Sequence, residues 1–368
     1  MTVAPTLGEQ LDPGRQAGPG SDPSRDVRAW DARVEASPHG SVFQLSGWAR
    51  VKALTGWRAE RVATADARLL AQVLVRRPGP LPWHFAYAPR GPVVDRWAPE
   101  AVGAVTDLVR TAARRARRPI SHVRIDPDVE ADGPEDEAGQ LRAALEAAGW
   151  RPADPIQPAT TRIVDLRADE AVLWSDLRPK WRQYVNRARA LGVRVVAAGE
   201  ERLPVFYRIL VETAIRGGFQ ARSEGAYRAV WEAFAADGRC RLLFAETADG
   251  EPVATLFLLR CGGRVAELYG GMTGAGAELR ANYLLKWEAI RSSRDAGATS
   301  YDLWGLATPG IAHFKAGFGG REVRYIGAWD LVLDPVGYGA WTAAAAARGW
   351  LVRRLGRRRR GRVGDQSD

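Results

Sequence analysis

The stretch Tyr301–Asp334, YDLWGLATPGIAHFKAGFGGREVRYIGAWDLVLD, decides how this chain is read. It sets a strand, a glycine turn, a short helix with one lysine, a Gly-Gly break and a further strand in quick succession. Lys315 stands between Phe314 and Phe318 at the mouth of that turn. A cation held against an apolar wall stabilises a developing negative charge far better than a solvated one. The competing reading is a surface lysine at a helix end beside a glycine cap.

Upstream of this stretch, TRIVDL reads as a strand and residues 177–191 as a helix with Pro179 in its first turn, where proline fits. Leu177, Trp181, Tyr184, Ala188 and Leu191 form its expected apolar stripe, with Arg178, Arg182 and Arg189 on an adjacent face. VRVVAA reads as a strand, residues 201–217 and 224–236 as helices, and RLLFAET, VATLFLLR and RVAELYGG as three further strands. A helix ending at Gly297 then leads into SYDLW. In the first half, residues 26–57 read as helix, turn, helix, 59–76 as strands, and 99–117 and 135–149 as helices around the short strand SHVRIDP. Prolines at 78, 80, 82, 89 and 92 predict a loop or an edge strand, because proline donates no ladder hydrogen bond. PADPIQPAT marks a hinge between halves. The fold class is α+β, with helices flanking mixed, largely antiparallel sheets.

A chain of 368 residues with 46% hydrophobic content holds two domains with real cores. Two cysteines, Cys240 and Cys261, lie in or beside apolar runs, and the four histidines have no ligand spacing. A reducing cytoplasmic setting, no metal and no cofactor are therefore expected. No apolar run reaches the roughly 20 residues that span a bilayer. Residues 1–25, rich in Pro, Gly, Asp and Ser, read as a disordered leader. Of the net charge of +10, six units fall in residues 348–368, where arginines interleave with Trp350, Leu351, Val352 and Leu355. A basic tail (346–368) with apolar anchors suits an anionic membrane surface or an RNA backbone, and equally a solubilising end.

Asp302–Gly305, followed by His313-Phe314-Lys315 and Phe318-Gly319-Gly320, resembles the C-terminal signature of the Fem family, the tRNA-dependent aminoacyltransferases of peptidoglycan cross-bridge formation. SVFQLSGWARVKALTGW, FAYAPRGPVVD, KWRQYVNRARALGVRV and ELYGGMTGAGAELRANYLLKWEAIRSSRDAG resemble further motifs of that family, in the same order, over residues 40 to 335. The resemblance implies two GNAT-like acyltransferase lobes. The first would comprise 26–158 plus 320–345 and the second 159–319. It also implies transfer of an amino acid from aminoacyl-tRNA to an amine of the stem peptide of a lipid-linked or UDP-linked precursor, in the cytoplasm, where the Arg-rich tail could also bring the chain to the inner face of the plasma membrane. An activated ester needs no protein nucleophile, and the chain carries no G-x-S-x-G or Cys-His arrangement.

The resemblance assigns roles residue by residue. Lys315 would hold the reacting carbonyl oxygen or the tRNA terminus, and Phe314 would stack on the terminal base or simply pack in a core. Lys52 would meet the precursor's diphosphate as a point charge. Tyr87 and Arg90, on a proline-stiffened loop, would contact the precursor. Thr213 and Arg216, three residues apart on one helix, would bind the second part of the diphosphate, with Tyr227 nearby. Tyr269, before Gly-Gly, would line the cleft. Arg178, Arg182 and Arg189 would suit the tRNA acceptor stem, or form an ordinary solvated face. The long helical hairpin carried by some family members has no counterpart here. GGMTGAG lacks the Lys-Ser/Thr of a P-loop and the full dinucleotide fingerprint. The alternative is an acyl-CoA-dependent N-acyltransferase, against which stands the missing Arg or Gln ahead of Gly270–Gly276. A third reading, a non-enzymatic RNA- or membrane-binding protein, leaves the aromatic and lysine loops unexplained.

Overall fold

The computed structural model describes residues 26–132 and 137–347. The leader 1–25 and all but the first two residues of the basic tail lie outside the described residues. The chain builds two seven-stranded sheets. The first holds β1 (Arg58–Ala63), β2 (Leu69–Arg76), β3 (His84–Ala88), β4 (Val93–Val94), β5 (Ile120–Ile125) and β6 (Trp150–Ala153), and is completed late in the chain by β14 (Ala328–Val332). The second holds β7 (Thr160–Asp165), β8 (Arg194–Ala198), β9 (Cys240–Glu246), β10 (Pro252–Cys261), β11 (Arg264–Met272), β12 (Ser300–Asp302) and β13 (Arg321–Arg324).

Each sheet is antiparallel apart from one parallel pair, β3 with β5 and β11 with β12. A parallel pair needs a crossover helix. α3 (Ala101–Arg115) supplies it in the first lobe and α10 (Ala281–Asp295) in the second. β12 pairs with β11 over three residues only, Ser300 to Asp302, and then follows β7, where Leu303 N donates to the Arg162 carbonyl. The two strands therefore part beyond Ala266 and Asp302, and the wedge between them receives the residues discussed below.

Three apolar clusters hold the chain together. One lies on α3 and the first sheet, and one on α10, α6 (Pro179–Ala190) and the second sheet. The third joins the lobes through α1 (Val27–Ala36), α2 (Ser46–Ala53), α7 (Leu203–Gly217) and α8 (Glu224–Phe234), with Trp30, Phe43, Trp48, Phe206 and Phe234 at its centre. Cys240 and Cys261 are buried free thiols, pushed up to about 12 by burial, and act as packing residues.

Three expectations are corrected. Residues 84–88 form no loop or edge strand, but an interior strand between β2 and β5. The five prolines flank that span without entering it, so every N–H in it can donate. On α6 the buried residues are Trp181, Val185 and Ala188, whereas Leu191 is 47% exposed just past the helix end. The return to the first lobe falls between Arg324 and Ala328 instead of at residue 320, because Arg321–Arg324 pair with β7.

The helix carrying Lys315, α11 (Pro309–Ala316), is capped by Thr308 Oγ1, which accepts from Ile311 N. It ends at Gly317, where an added Cβ would lie 2.3 Å from Trp181 Cε2 and Nε1. Gly317→Ala is expected to lower stability by roughly 1–3 kcal/mol through overpacking, seen as a lower urea midpoint at unchanged m-value. An unchanged midpoint would show that α6 and α11 are free to move apart.

Candidate active site

Lys315 turns into the wedge between β11 and β12. Its Nζ donates to the carbonyl oxygens of Trp304, at 3.1 Å, and Gly305, at 2.9 Å. Its third donor has no partner among the described residues. Burial brings Lys315 down to about 8, with Lys286 pushing the same way and Glu267 and Asp302 opposing.

Trp304 is the junction of the site. It sits at φ +62°, which is unusual for a bulky side chain. Asp302 Oδ1 accepts from Trp304 N at 2.7 Å and from the Thr161 hydroxyl, which fixes this backbone. Burial raises the Asp302 carboxyl to about 6. The Trp304 ring meets Phe43 at 5.5 Å, Phe43 meets Trp48 at 4.7 Å, and Lys52 Nζ lies 5.4 Å from the Trp48 ring. An unbroken aromatic run thus links Lys52, on the first lobe, to the carbonyls that hold Lys315 on the second.

Lys52 is also brought down to about 8, by burial first and then by Arg222 and Arg76. None of the three cations has an acidic partner among the described residues. Such a gathering is a ready-made anion site. Tyr227 and Tyr269 stand beside it. Their rings meet edge to face at 5.0 Å, and the Tyr227 hydroxyl accepts from Arg222 N. Thr213 and Arg216 are placed differently. Arg216 Nη2 donates to the Met272 carbonyl at 2.5 Å, and Thr213 Oγ1 accepts from Met272 N at 2.9 Å. These two residues tie α7 to the end of β11, and Arg222 instead of Arg216 faces Lys52.

In the first lobe Tyr87 is 4% exposed, and its hydroxyl donates to Asp126 Oδ2 at 2.5 Å. Asp126 Oδ1 accepts from Arg90 N at 2.6 Å, and Oδ2 also accepts from Gln157 N at 3.3 Å. Burial raises the Asp126 carboxyl and, with Asp126 beside it, pushes the Tyr87 hydroxyl well above its usual range. Arg90, at φ +46°, donates to the Pro158 carbonyl and lies 4.0 Å from the Tyr325 ring and 5.8 Å from the Trp304 ring. Tyr87 and Arg90 therefore brace the loop that faces Trp304.

Phe314 packs against Tyr283, Phe318 and Trp181 while remaining half-buried, and its carbonyl accepts from Trp181 Nε1. The three arginines expected to meet tRNA are engaged within the protein. Arg178 contacts His313, Arg182 donates to the Ser175 and Leu177 carbonyls, and Arg189 pairs with Glu288. The same region also presents Lys180 and Arg280, flanking the Tyr184 ring at 5.7 and 4.7 Å.

Sequence reasoning missed Arg222, Trp304, Asp126 and the buried group Glu267, Lys286 and Tyr301. Two signals were available. Glu267 shares the inward side of an alternating strand with Val265, where an acid is out of place. Of 53 basic residues only Lys52, Lys180, Lys286 and Lys315 are lysines, and three of these lie at the site.

The architecture, two mixed sheets flanked by helices, is a GNAT-like fold. The family model described as an acetyltransferase (GNAT) domain matches residues 175–316. The chain is homologous to the Lipid II:glycine glycyltransferase of Staphylococcus aureus strain MRSA252, with 30% identity over 231 residues, 61% of this chain and 54% of that protein. It spans about half the length of the curated relatives it matches. Among solved structures, the crystal structure of FemX superposes with a TM-score of 0.78 at 23% identity, covering 86% of this chain and 98% of that one. L-PGS from Bacillus licheniformis superposes at 0.51 with 14% identity, covering 86% and 94%. The Fem resemblance read from the sequence agrees with the similarity to that glycyltransferase and with the fold of FemX.

Proposed function

We propose that this chain is an aminoacyltransferase that moves an amino acid from aminoacyl-tRNA to an amine of the stem peptide of a peptidoglycan precursor. The observation that carries the reading is the placement of two lysines at one aromatic run across the lobe interface, Lys52 over the Trp48 ring and Lys315 on the Trp304 carbonyl. The homology to Lipid II:glycine glycyltransferase supports the acceptor class. Lys52, Arg76 and Arg222 hold the precursor's diphosphate, while Tyr269 lines the path to the reacting amine. The third N–H of Lys315 points its charge at the ester carbonyl oxygen. The amine nitrogen bonds to the carbonyl carbon, the ester C–O bond breaks, and the ribose oxygen leaves with a proton from the amine. Orientation and charge stabilisation therefore supply the rate. The half-buried Phe314 offers a ring for the terminal adenosine, and Lys180 and Arg280 around Tyr184 offer the strand its charge.

The test is transfer of radiolabelled amino acid from charged total tRNA to lipid-linked and UDP-linked precursors, with acyl-CoA as a parallel donor. Labelled precursor from tRNA is expected. Acyl transfer from acyl-CoA alone would overturn the reading in favour of an N-acyltransferase. Lys52→Ala is expected to raise KM for the precursor about 10-fold with little change in kcat, because it removes binding that is uniform along the reaction. A fall in kcat at unchanged KM would place Lys52 in the chemistry instead.

A further inference from the structure

Against Phe314, on the helix that carries Lys315, lies a charged group that the reaction above does not use. Glu267, on β11, is 6% exposed, and Lys286, on α10, is 5% exposed. Lys286 Nζ donates to Glu267 Oε1 in a close ion pair. The other carboxylate oxygen, Oε2, accepts from the Tyr301 hydroxyl at 3.0 Å, and Tyr301 is wholly buried on β12. Lys286 Nζ also lies 5.7 Å from the Phe314 ring. Three elements thus bring one acid and one base together beside the helix that carries Lys315.

A buried ion pair is weak evidence for stability, because desolvation offsets most of the attraction and an apolar pair of the same volume would serve as well. The residue type carries more information. The chain meets almost every other need for a cation with arginine, which stays charged at all working pH values. Lysine is the cation whose charge its surroundings can remove. Here two lysines share one carboxylate's field in a poorly solvated wedge, where charges act over longer distances than in water.

We propose that Glu267 and Lys286 are positioning residues that set the charge of Lys315, Glu267 holding it as a cation and Lys286 limiting how firmly that cation is held. This rests on the reading of Lys315 as the charge at the reacting carbonyl. The charged groups acting on Lys315 are Glu267 from β11, Lys286 from α10 and Asp302 from β12, with Tyr301 bonded to Glu267 and Arg178, ahead of α6, meeting the same helix at His313. Asp302 is tied to Trp304 N and Thr161, so Glu267 is the acid whose partner is itself a lysine.

The arrangement makes a signed prediction. Neutralising the acid leaves two cations facing each other, and Lys315 gives up its proton at lower pH. Neutralising Lys286 frees the carboxylate for Lys315, which then keeps its proton to higher pH. The experiment is reductive [13C]methylation of the full chain followed by NMR titration. With four lysines the spectrum is simple, and Lys315→Ala assigns the resonance. Glu267→Gln is expected to shift the Lys315 titration down by about one pH unit and Lys286→Met to shift it up by about one. Lys286→Arg, which keeps the charge, should leave it unmoved. The alkaline limb of kcat should follow the same signs, a readout that a merely structural pair would not move. Shifts of the same sign in both variants, or none, would overturn the proposal. If Glu267→Gln fails to fold, Glu267→Asp gives the same test with a smaller downward shift. Absence of any aminoacyl transfer by the wild type would sink the functional reading while the titration still decides the electrostatic one.

Discussion

Lys315→Ala is expected to lower kcat for aminoacyl transfer about 100- to 1,000-fold while leaving KM for the precursor within a few-fold of wild type. This is the loss seen when one donor aimed at a developing oxyanion is removed. The split follows from the geometry. Lys315 is anchored by the Trp304 and Gly305 carbonyls, so its remaining N–H is preset before substrate arrives. The precursor's charge is expected to meet Lys52, Arg76 and Arg222 at the far end of the aromatic run. A proportional rise in KM with kcat unchanged would make Lys315 a binding residue and refute its role at the carbonyl. Its pH dependence has a definite sign. With Lys315 down at about 8, the cation is present below that value, so kcat falls as pH rises through it. The unfolded chain keeps this proton up to about 10.5, so the same group makes the fold more stable as pH rises from 8 to 10.5. Activity and stability should therefore move in opposite directions across that window.

Asp126→Ala is expected to cost roughly 3–5 kcal/mol of stability, a large share of the 5–15 kcal/mol typical of a folded domain. The carboxylate is 3% exposed and accepts from the Tyr87 hydroxyl and from the backbone N–H groups of Arg90 and Gln157. Truncation leaves two buried donors and one part-buried donor without an acceptor and frees the loop that presses Arg90 towards Trp304. Asp126→Asn, which keeps the shape and one acceptor, should cost less than half as much. Equilibrium urea unfolding at constant m-value is the measurement. Equal midpoints for Asp126→Ala and wild type would mean that water satisfies those donors and that the loop stands without the acid.

Much of this was readable along the chain. The α11 helix with its lysine, the Gly-Gly break and the strands on either side were visible in Tyr301–Asp334, because capping, glycine turns and two-residue alternation are local properties. The prolines misled at 78–92 because they punctuate the ends of β3, and whether a strand between punctuation marks is interior or at an edge depends on which strands lie beside it. The partners of the candidate arginines were hidden for a related reason. Arg182 and Arg189 do share a helix face, but their guanidiniums meet the Ser175 and Leu177 carbonyls and Glu288, partners that arrive from other elements. Arg216 is taken by the Met272 carbonyl from a strand 56 residues away.

Local periodicity and turn chemistry are enough to assign the elements, their alternation and the α+β class, since each depends on neighbours within a few residues. The ordered motifs carried the homology and, with it, the twinned lobes. The state of each charge is a different kind of property. Whether a cation is free, paired or stripped of water depends on groups that meet only when β11 and β12 part and α10 and α11 close over the gap. Glu267, Lys286, Tyr301 and Lys315 lie on four elements, and the attraction and repulsion among them act only at the short distances that folding creates.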